Sequence, residues 1–367
     1  MTPIYVTKSY LPPFDEYTVY LQKIWETNQL TNNGALVREL EEKLKSFLGV
    51  KHIFFVSNGT IAMQIAIKAL GLQNEIITTP FSYVATTSSI VWEGCQPVFA
   101  DIDPITLCLN PDLIEKAITP RTTGIMATHV YGYPCNVERI QAIAGRHGLK
   151  IIYDAAHAFG VQYKGQSLLN QGDIATLSFH ATKLFHTVEG GALVTNDDEV
   201  AQRIAYMRNF GHKGSENFWG LGVNGKNSEF HAAMGLCILP KVSEIIASRK
   251  TICSSYDHEL FECGLVMPRP SEGTEYNASY YPVLFPSEEI LLQTQTALNL
   301  EEIYPRRYFF PALNKLPYVK YQQMPVAEDI AKKVLCLPLY AGMDENDVRK
   351  ISGIIRETLA EVEKKRF

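Results

Sequence analysis

The chain has 367 residues, 46% of them hydrophobic, and a formal net charge of −5. Length and apolar content suit a large domain with a smaller one beside it, and a mildly acidic chain without a basic cluster is not built for nucleic acid. No apolar run reaches the roughly 18 residues of a membrane span, and MTPIYVTKSYLPPF has no charged region followed by an apolar run, so neither a span nor a signal peptide is expected.

Seven cysteines, odd in number and without a CxxC pair, fit a reduced cytoplasmic chain and no metal site. Residues 1–14 are expected to form an extended arm, because Pro3, Pro12 and Pro13 oppose helix. Helix is predicted over 16–28, then a turn-rich loop LTNNG at 30–34. The next helix, over 36–48, puts Leu40, Leu44, Phe47 and Leu48 on one face and closes at Gly49. A strand over 52–57 runs into SNGT (57–60) and a helix to about 70. Strands over 75–79, 97–101, 123–130 and 150–154 then alternate with helices over 82–92, 111–118 and 137–147. Such alternation predicts an α/β fold, a mostly parallel sheet flanked by helices.

Two more strands, 173–179 and 191–195, flank SFHATKLFHTVEGG. Helices are predicted over 197–209 and 228–250, the second kinked at Pro240, with a Gly- and Asn-rich loop over 212–227 between them. Beyond about 250 the pattern changes. A helix over 250–263, a strand over 279–285, a helix over 287–298, the segment YPRRYFFPAL (304–313) and a last helix over 344–364 suggest a smaller α+β domain. The expected division is 1–249 and 250–367.

Ligands of parallel sheets sit beyond the carboxyl ends of the strands. There the chain offers a strand–turn–helix start at Ser57–Thr60, with free backbone N–H groups and a hydroxyl for an anion. It also offers a carboxylate, Asp154, and a lysine, Lys183, five residues after Ser178 and ahead of Gly190 and Gly191. Singly, these are a common turn, a helix cap or ion-pair partner, and a surface lysine. In this order they match the two fixed requirements of a pyridoxal-phosphate site, a lysine that forms a Schiff base and an aspartate that holds the pyridinium nitrogen.

SNGT, DAAHAFG (154–160), SFHATK (178–183), EGG (189–191) and NSEFHAAMGL (227–236), with LTNNG and YPRRYFFPAL, resemble the DegT/DnrJ/EryC1/StrS family of sugar aminotransferases over essentially the whole chain. The resemblance implies a fold-type-I, aspartate-aminotransferase-like architecture and a homodimer with shared active sites. It implies that Lys183 is the Schiff-base lysine and proton shuttle, and that Asp154 pairs with the pyridine nitrogen of pyridoxal 5'-phosphate. Gly59, Thr60 and Ser178 resemble the phosphate cradle, and Asn224 an asparagine reaching that phosphate from the partner subunit. Tyr83 resembles the aromatic stacked on the ring; core filling is the alternative.

Two positions depart from the family pattern. His157 stands where Gln usually meets the cofactor's phenolic oxygen. A histidine there also has the option of touching the sugar and titrating near physiological pH, or of being a packed ring. His186 stands where a smaller polar residue is usual. With Thr31, Asn32, Arg306 and Tyr308 it completes the expected sugar-contact set, Arg306 facing the diphosphate.

The implied reaction moves an amino group from L-glutamate to a nucleotide-linked keto-sugar, through the pyridoxamine form of the cofactor. The first-choice substrate is dTDP-4-keto-6-deoxy-D-glucose, giving the 4-amino-4,6-dideoxy sugar of surface polysaccharides; the 3-keto isomer is second. A non-catalytic cofactor or sugar sensor is the alternative of another class, opposed by intact Lys183 and Asp154. A family dehydratase would carry His at 183, and a nicotinamide enzyme would carry G-x-G-x-x-G after its first strand.

Overall fold

The computed structural model describes residues 3–366. A short strand β1 (Ile4–Tyr5) and two helices, α1 (Phe14–Thr27) and α2 (Ala35–Leu48), precede the alternating part. That part runs β2 (His52–Val56), α3 (Gly59–Ala69), β3 (Glu75–Thr78), α4 (Val84–Trp92), β4 (Gln96–Phe99), α5 (Pro111–Ala117), β5 (Thr122–Thr128), α6 (Val137–His147) and β6 (Lys150–Asp154). A small hairpin, β7 (Gln162–Tyr163) and β8 (Gln166–Ser167), leads to β9 (Ile174–Ser178) and β10 (Gly191–Thr195). The seven-stranded sheet has the order β2-β10-β9-β6-β5-β3-β4, in which β10 is antiparallel to both neighbours and the other pairs are parallel.

Local chemistry sets the boundaries. The side chains of Asn58, Asn110 and Asn136 accept N–H groups at the starts of α3, α5 and α6, and Gly49 and Gly148 end α2 and α6 at positive φ. The two-residue period of the strands sorts the core. Met126, Ile152 and Ile174 pack on α3, while Ile125, Ile151 and Ala175 face the opposite layer. Continued along the first face, the same period delivers Thr128, Asp154, Thr176 and Ser178 at the strand ends. Polar side chains therefore replace the apolar file where the strands stop.

The buried stripe of α2 is Leu36, Val37, Leu40, Leu44 and Leu48; Phe47, expected in it, is 41% exposed and stacks on Phe159 at 5.8 Å. After α7 (Asp198–Met207) and α8 (Glu229–Ile238), a 3-10 turn at Leu239–Lys241 absorbs Pro240. Helix α9 (Val242–Glu259) then passes straight through residue 250, where the sequence suggested a new helix. The apolar stretch Glu229–Glu259 has the length and composition of a membrane span, but more than half of it is buried inside the protein, which accounts for its apolarity.

Beyond α9, β11 (Thr274–Glu275) joins the β7–β8 hairpin. Strand β12 (Tyr281–Leu284), helix α10 (Glu288–Leu300), the short β13 (Ile303–Tyr304), helix α11 (Pro325–Lys333), β14 (Val334–Leu337) and helix α12 (Glu345–Arg366) follow. α11 and β14 had no counterpart in the sequence expectation. β14 pairs antiparallel with β12, and Ile252 and Tyr256 of α9 join Val283, Leu291, Leu337 and Ile351 in a separate apolar core. The N-terminal arm lies across this part: β1 is parallel to β13, and Val6 accepts the N–H of Leu339 at 3.0 Å. It then reaches the lysine loop, where Ser9 Oγ donates to the Ala181 carbonyl at 2.6 Å.

Candidate active site

The turn SNGT opens α3 at the end of β2, with Asn58 Oδ1 taking the N–H of Ile61 at 2.9 Å. The first-turn N–H groups of Gly59 and Thr60 have no intrahelical acceptor and carry the positive end of the helix dipole. Space is short on both sides of this turn, and at Gly191 it admits no side chain without a backbone shift. A Cβ on Gly59 would stand 3.1 Å from Ser178 Cβ, and one on Gly191 would stand 2.5 Å from the Asn58 carbonyl carbon and 2.7 Å from Gly59 N. The Gly-Gly pair behind the lysine thus lets β10 pass directly under the turn.

Asp154 is 4% exposed at the end of β6. Its Oδ2 accepts from Thr86 Oγ1 at 2.7 Å and its Oδ1 from the Ala156 N–H at 3.1 Å. Thr86 Oγ1 lies 2.8 Å from Ser82 Oγ, which accepts from Thr128 Oγ1 at 3.0 Å. Three buried hydroxyls therefore form a file ending on the carboxylate. Burial raises the Asp154 pKa, while Thr86, the Ala156 N–H and the charge of Lys183 oppose that shift. Sequence reasoning missed Thr86, Ser82 and Thr128. The available signal was the density of hydroxyls in PFSYVATTSS, which an apolar helix gains nothing from unless they face a polar partner.

Lys183 stands on the loop between β9 and β10. Phe179 and Phe185, both buried, anchor that loop, and Phe185 stacks on Phe159 at 4.5 Å. Lys183 Nζ donates to Tyr280 Oη at 3.1 Å. Burial lowers the Lys183 pKa, against the raising effect of Asp154, Tyr308 and Tyr83. Around it opens a cavity of about 350 Å³. The cavity brings together Gly59, Thr60, Tyr83, Asp154, His157, Ser178 and Lys183 of the expected cofactor set, with Arg306 and Tyr308 of the sugar set. Tyr280 also lines it and was not anticipated.

His157 is 4% exposed. Its Nδ1 accepts the Tyr131 N–H at 3.2 Å, so the proton of the neutral ring sits on Nε2. The ring stacks on Phe309 at 5.6 Å and meets Tyr280 edge-on at 4.8 Å. Burial, with Lys183 adding to it, pushes the His157 pKa well below its ordinary value. Burial therefore works against protonation of this ring at physiological pH.

The remaining expected residues stand elsewhere. His186 is buried off the cavity, with Nε2 2.8 Å from the Tyr10 carbonyl and Nδ1 accepting the Val188 N–H at 3.2 Å. It fastens the N-terminal arm and does not line the cavity of its own chain. Thr31 and Asn32 are exposed outside the cavity, where Thr31 Oγ1 donates to the Asn227 carbonyl at 3.4 Å. The constraint in LTNNG is its glycine. The buried Glu229 carboxylate accepts the N–H groups of Leu36 and Val37 at 2.7 and 3.2 Å, and a Cβ on Gly34 would strike it. Asn224 is exposed, accepts from Lys226 Nζ at 2.8 Å, and does not line the cavity of its own chain. Among the described residues no three His, Cys, Asp or Glu side chains gather as for a metal ion.

A large sheet with one antiparallel strand, a lysine after its penultimate strand and a carboxylate at the end of a central one define a fold-type-I, aspartate-aminotransferase-like enzyme. Residues 15–356 match the model of the DegT/DnrJ/EryC1/StrS aminotransferase family. The chain is 43% identical to a dTDP-4-amino-4,6-dideoxy-D-glucose transaminase of Shigella dysenteriae over 97% of this chain and 99% of that one. It is 40% identical to one of the same name from Escherichia coli, over 95% and 97%. Among solved structures, DesI in the presence of its TDP-sugar product superposes with a TM-score of 0.94 at 32% identity, covering 100% of this chain and 96% of that one. The chain belongs to the DegT/DnrJ/EryC1/StrS aminotransferase family and is an aminotransferase.

Proposed function

We propose that the enzyme uses pyridoxal 5'-phosphate to move an amino group from L-glutamate to dTDP-4-keto-6-deoxy-D-glucose, giving dTDP-4-amino-4,6-dideoxy-D-glucose. The observation that carries the chemistry is that Asp154 and Lys183 face one cavity. The choice of sugar follows the names of the two transaminases, each at least 40% identical over nearly the whole chain.

The residues present fit the cofactor. A buried carboxylate with two hydrogen bonds suits a pyridinium nitrogen. The turn at Gly59, packed closely against Ser178, offers N–H groups and hydroxyls to a phosphate. When bound, pyridoxal phosphate supplies the electron sink that stabilises negative charge on the carbon losing its proton. Lys183 Nζ holds and moves that proton, and its lowered pKa keeps more of the amine neutral for the task. Asp154 Oδ holds a positive partner, and His157 Nε2 offers a neutral N–H to an oxygen.

Arg306, exposed at the cavity wall and with Tyr308 within cation–π range at 5.8 Å, is the group for the diphosphate; Tyr308 would lie against the sugar. An adjoining hollow of about 380 Å³ shares Tyr83, Arg306 and Tyr308 and continues past Gln295, Phe310 and Leu313, which gives room for the nucleoside. A homodimer is supported by Leu11, Phe14, Trp25 and Leu221, each more than two thirds exposed. It would also give Asn224, Thr31 and Asn32 a cavity in the partner subunit. The buried or half-buried free cysteines fit a cytoplasmic setting, and surface-polysaccharide synthesis is the use we assign to the product.

The test is a visible spectrum of wild type and Lys183→Ala, with glutamate and then the keto-sugar added. Wild type is expected to change with glutamate and recover with the sugar; the variant is expected to do neither. Recovery with the 3-keto isomer alone would move the assignment to that carbon. A spectrum that neither reactant alters would support a sensor.

A further inference from the structure

Among the described residues, Tyr280 is the one side chain in a hydrogen bond with Lys183 Nζ. It belongs to no motif that marked the site in the sequence and arrives from the far side of the chain, just ahead of β12. The fold holds it with unusual care. Arg249, buried and with no carboxylate partner among the described residues, donates to the carbonyls of Ala278 and Ser279 at 2.7 and 2.6 Å. Asn277 Nδ2 donates to the His157 and Phe159 carbonyls, both at 2.9 Å, and Ser279 Oγ to the His157 carbonyl at 2.8 Å. Tyr276 Oη donates to the Tyr280 carbonyl at 2.7 Å. The turn over 276–280 is thereby latched onto the loop that follows Asp154. Desolvating an arginine and bonding it only to carbonyls is costly, so its return lies in where the turn ends.

The turn ends at the lysine. The Tyr280 ring is boxed by His157, Tyr131 and Tyr308, with centroids at 4.8, 5.7 and 5.6 Å, so Oη has little freedom. Burial raises the phenol's pKa far above physiological pH, and it stays an O–H. Its oxygen accepts one N–H of Lys183. Among the described residues its own hydrogen has no acceptor, and the residue lines the cavity.

We infer that Tyr280 is a catalytic residue: it holds the unbonded Lys183 amine in place by accepting one N–H, and it offers its own O–H to an oxygen of the bound keto-sugar. The inference rests on Lys183 being the reactive lysine. With one N–H fixed on Oη, the nitrogen's lone pair is left for the proton it takes and later returns, so no net proton is gained or lost. The phenol donates without transferring its hydrogen.

The test is Tyr280→Phe, which keeps the ring and its packing. In the cofactor-free protein, competitive labelling of lysines with acetic anhydride across pH, read by peptide mass spectrometry, gives the half-labelling pH of Lys183. Loss of an acceptor for the ammonium form is expected to move that pH down. kcat is expected to fall by about ten- to a hundredfold, as for a hydrogen bond to a charged group, with a smaller change in KM for glutamate. An unchanged half-labelling pH or an unchanged kcat would overturn the inference. Borohydride reduction of the wild-type holoenzyme is read separately: if it attaches pyridoxal phosphate to a lysine other than Lys183, the assignment of the lysine itself fails.

Discussion

Asp154 and Thr86 are joined by a 2.7 Å hydrogen bond in a place where a carboxylate has almost no water. Without cofactor, that carboxylate is a burden on the fold. Its pKa is raised by burial, so its contribution to stability is fully present below the unfolded carboxyl pKa and is lost as pH rises through the folded value. Asp154→Asn is therefore expected to abolish transamination and yet to raise the melting temperature of cofactor-free protein at pH 8. At pH 4 the gain should shrink. Melts of both proteins at the two pH values check this, and equal gains at both would refute the burial argument.

Gly191 and Gly145 make a matched pair. A Cβ at 191 meets the Asn58 carbonyl at 2.5 Å, whereas one at 145, within α6, meets nothing within 4 Å. Gly191→Ala should cost about 1–3 kcal/mol and weaken cofactor binding through the displaced turn. Gly145→Ala should gain about 0.5–1 kcal/mol with binding unchanged. Denaturant melts and a cofactor titration of each variant decide the point.

His186 is expected to matter to the arm and not to the sugar. In His186→Ala the Tyr10 carbonyl loses its 2.8 Å partner. Hydrogen exchange and proteolysis of residues 3–13 should quicken, with KM for the nucleotide sugar within about twofold of wild type, as for a change outside the site. A large rise in that KM with a protected arm would restore the sugar-contact role.

For Arg306→Ala the expected loss is specific to one substrate. KM for the dTDP-sugar should rise by about ten- to a hundredfold, the worth of a charge-assisted hydrogen bond, and KM for glutamate should hold. Arg306→Lys should recover part of the loss. Unchanged sugar turnover in Arg306→Ala would remove this residue from the diphosphate site.

The sequence order was enough to anticipate the alternating sheet and the convergence of the SNGT turn, Asp154 and Lys183, because each depends on local pattern or on which end of a strand a residue occupies. Tyr280 and Thr86 were not legible. Their roles arise from which turn latches onto which loop: nothing near Tyr280 announces it, and near Thr86 the only local sign is the density of hydroxyls in PFSYVATTSS. His186 shows the converse: proximity to Lys183 along the chain does not make it line the cavity, since its ring meets Tyr10 instead. Thr31 and Asn32 drew notice through a motif whose constraint proved to be the carboxylate of Glu229 over Gly34.

Helix α9 has a mechanical meaning. Val242 and Ile245 are rooted in the main core and Ile252 and Tyr256 in the second, all on one uninterrupted 18-residue rod. A rod with both ends embedded does not bend at residue 250, so the two cores cannot flex about that point like covers about a spine. Unravelling either one strips packing from the helix that supports the other. Heating should therefore dissolve both together in a single calorimetric step, with no half-melted species that keeps the sheet and sheds the C-terminal part.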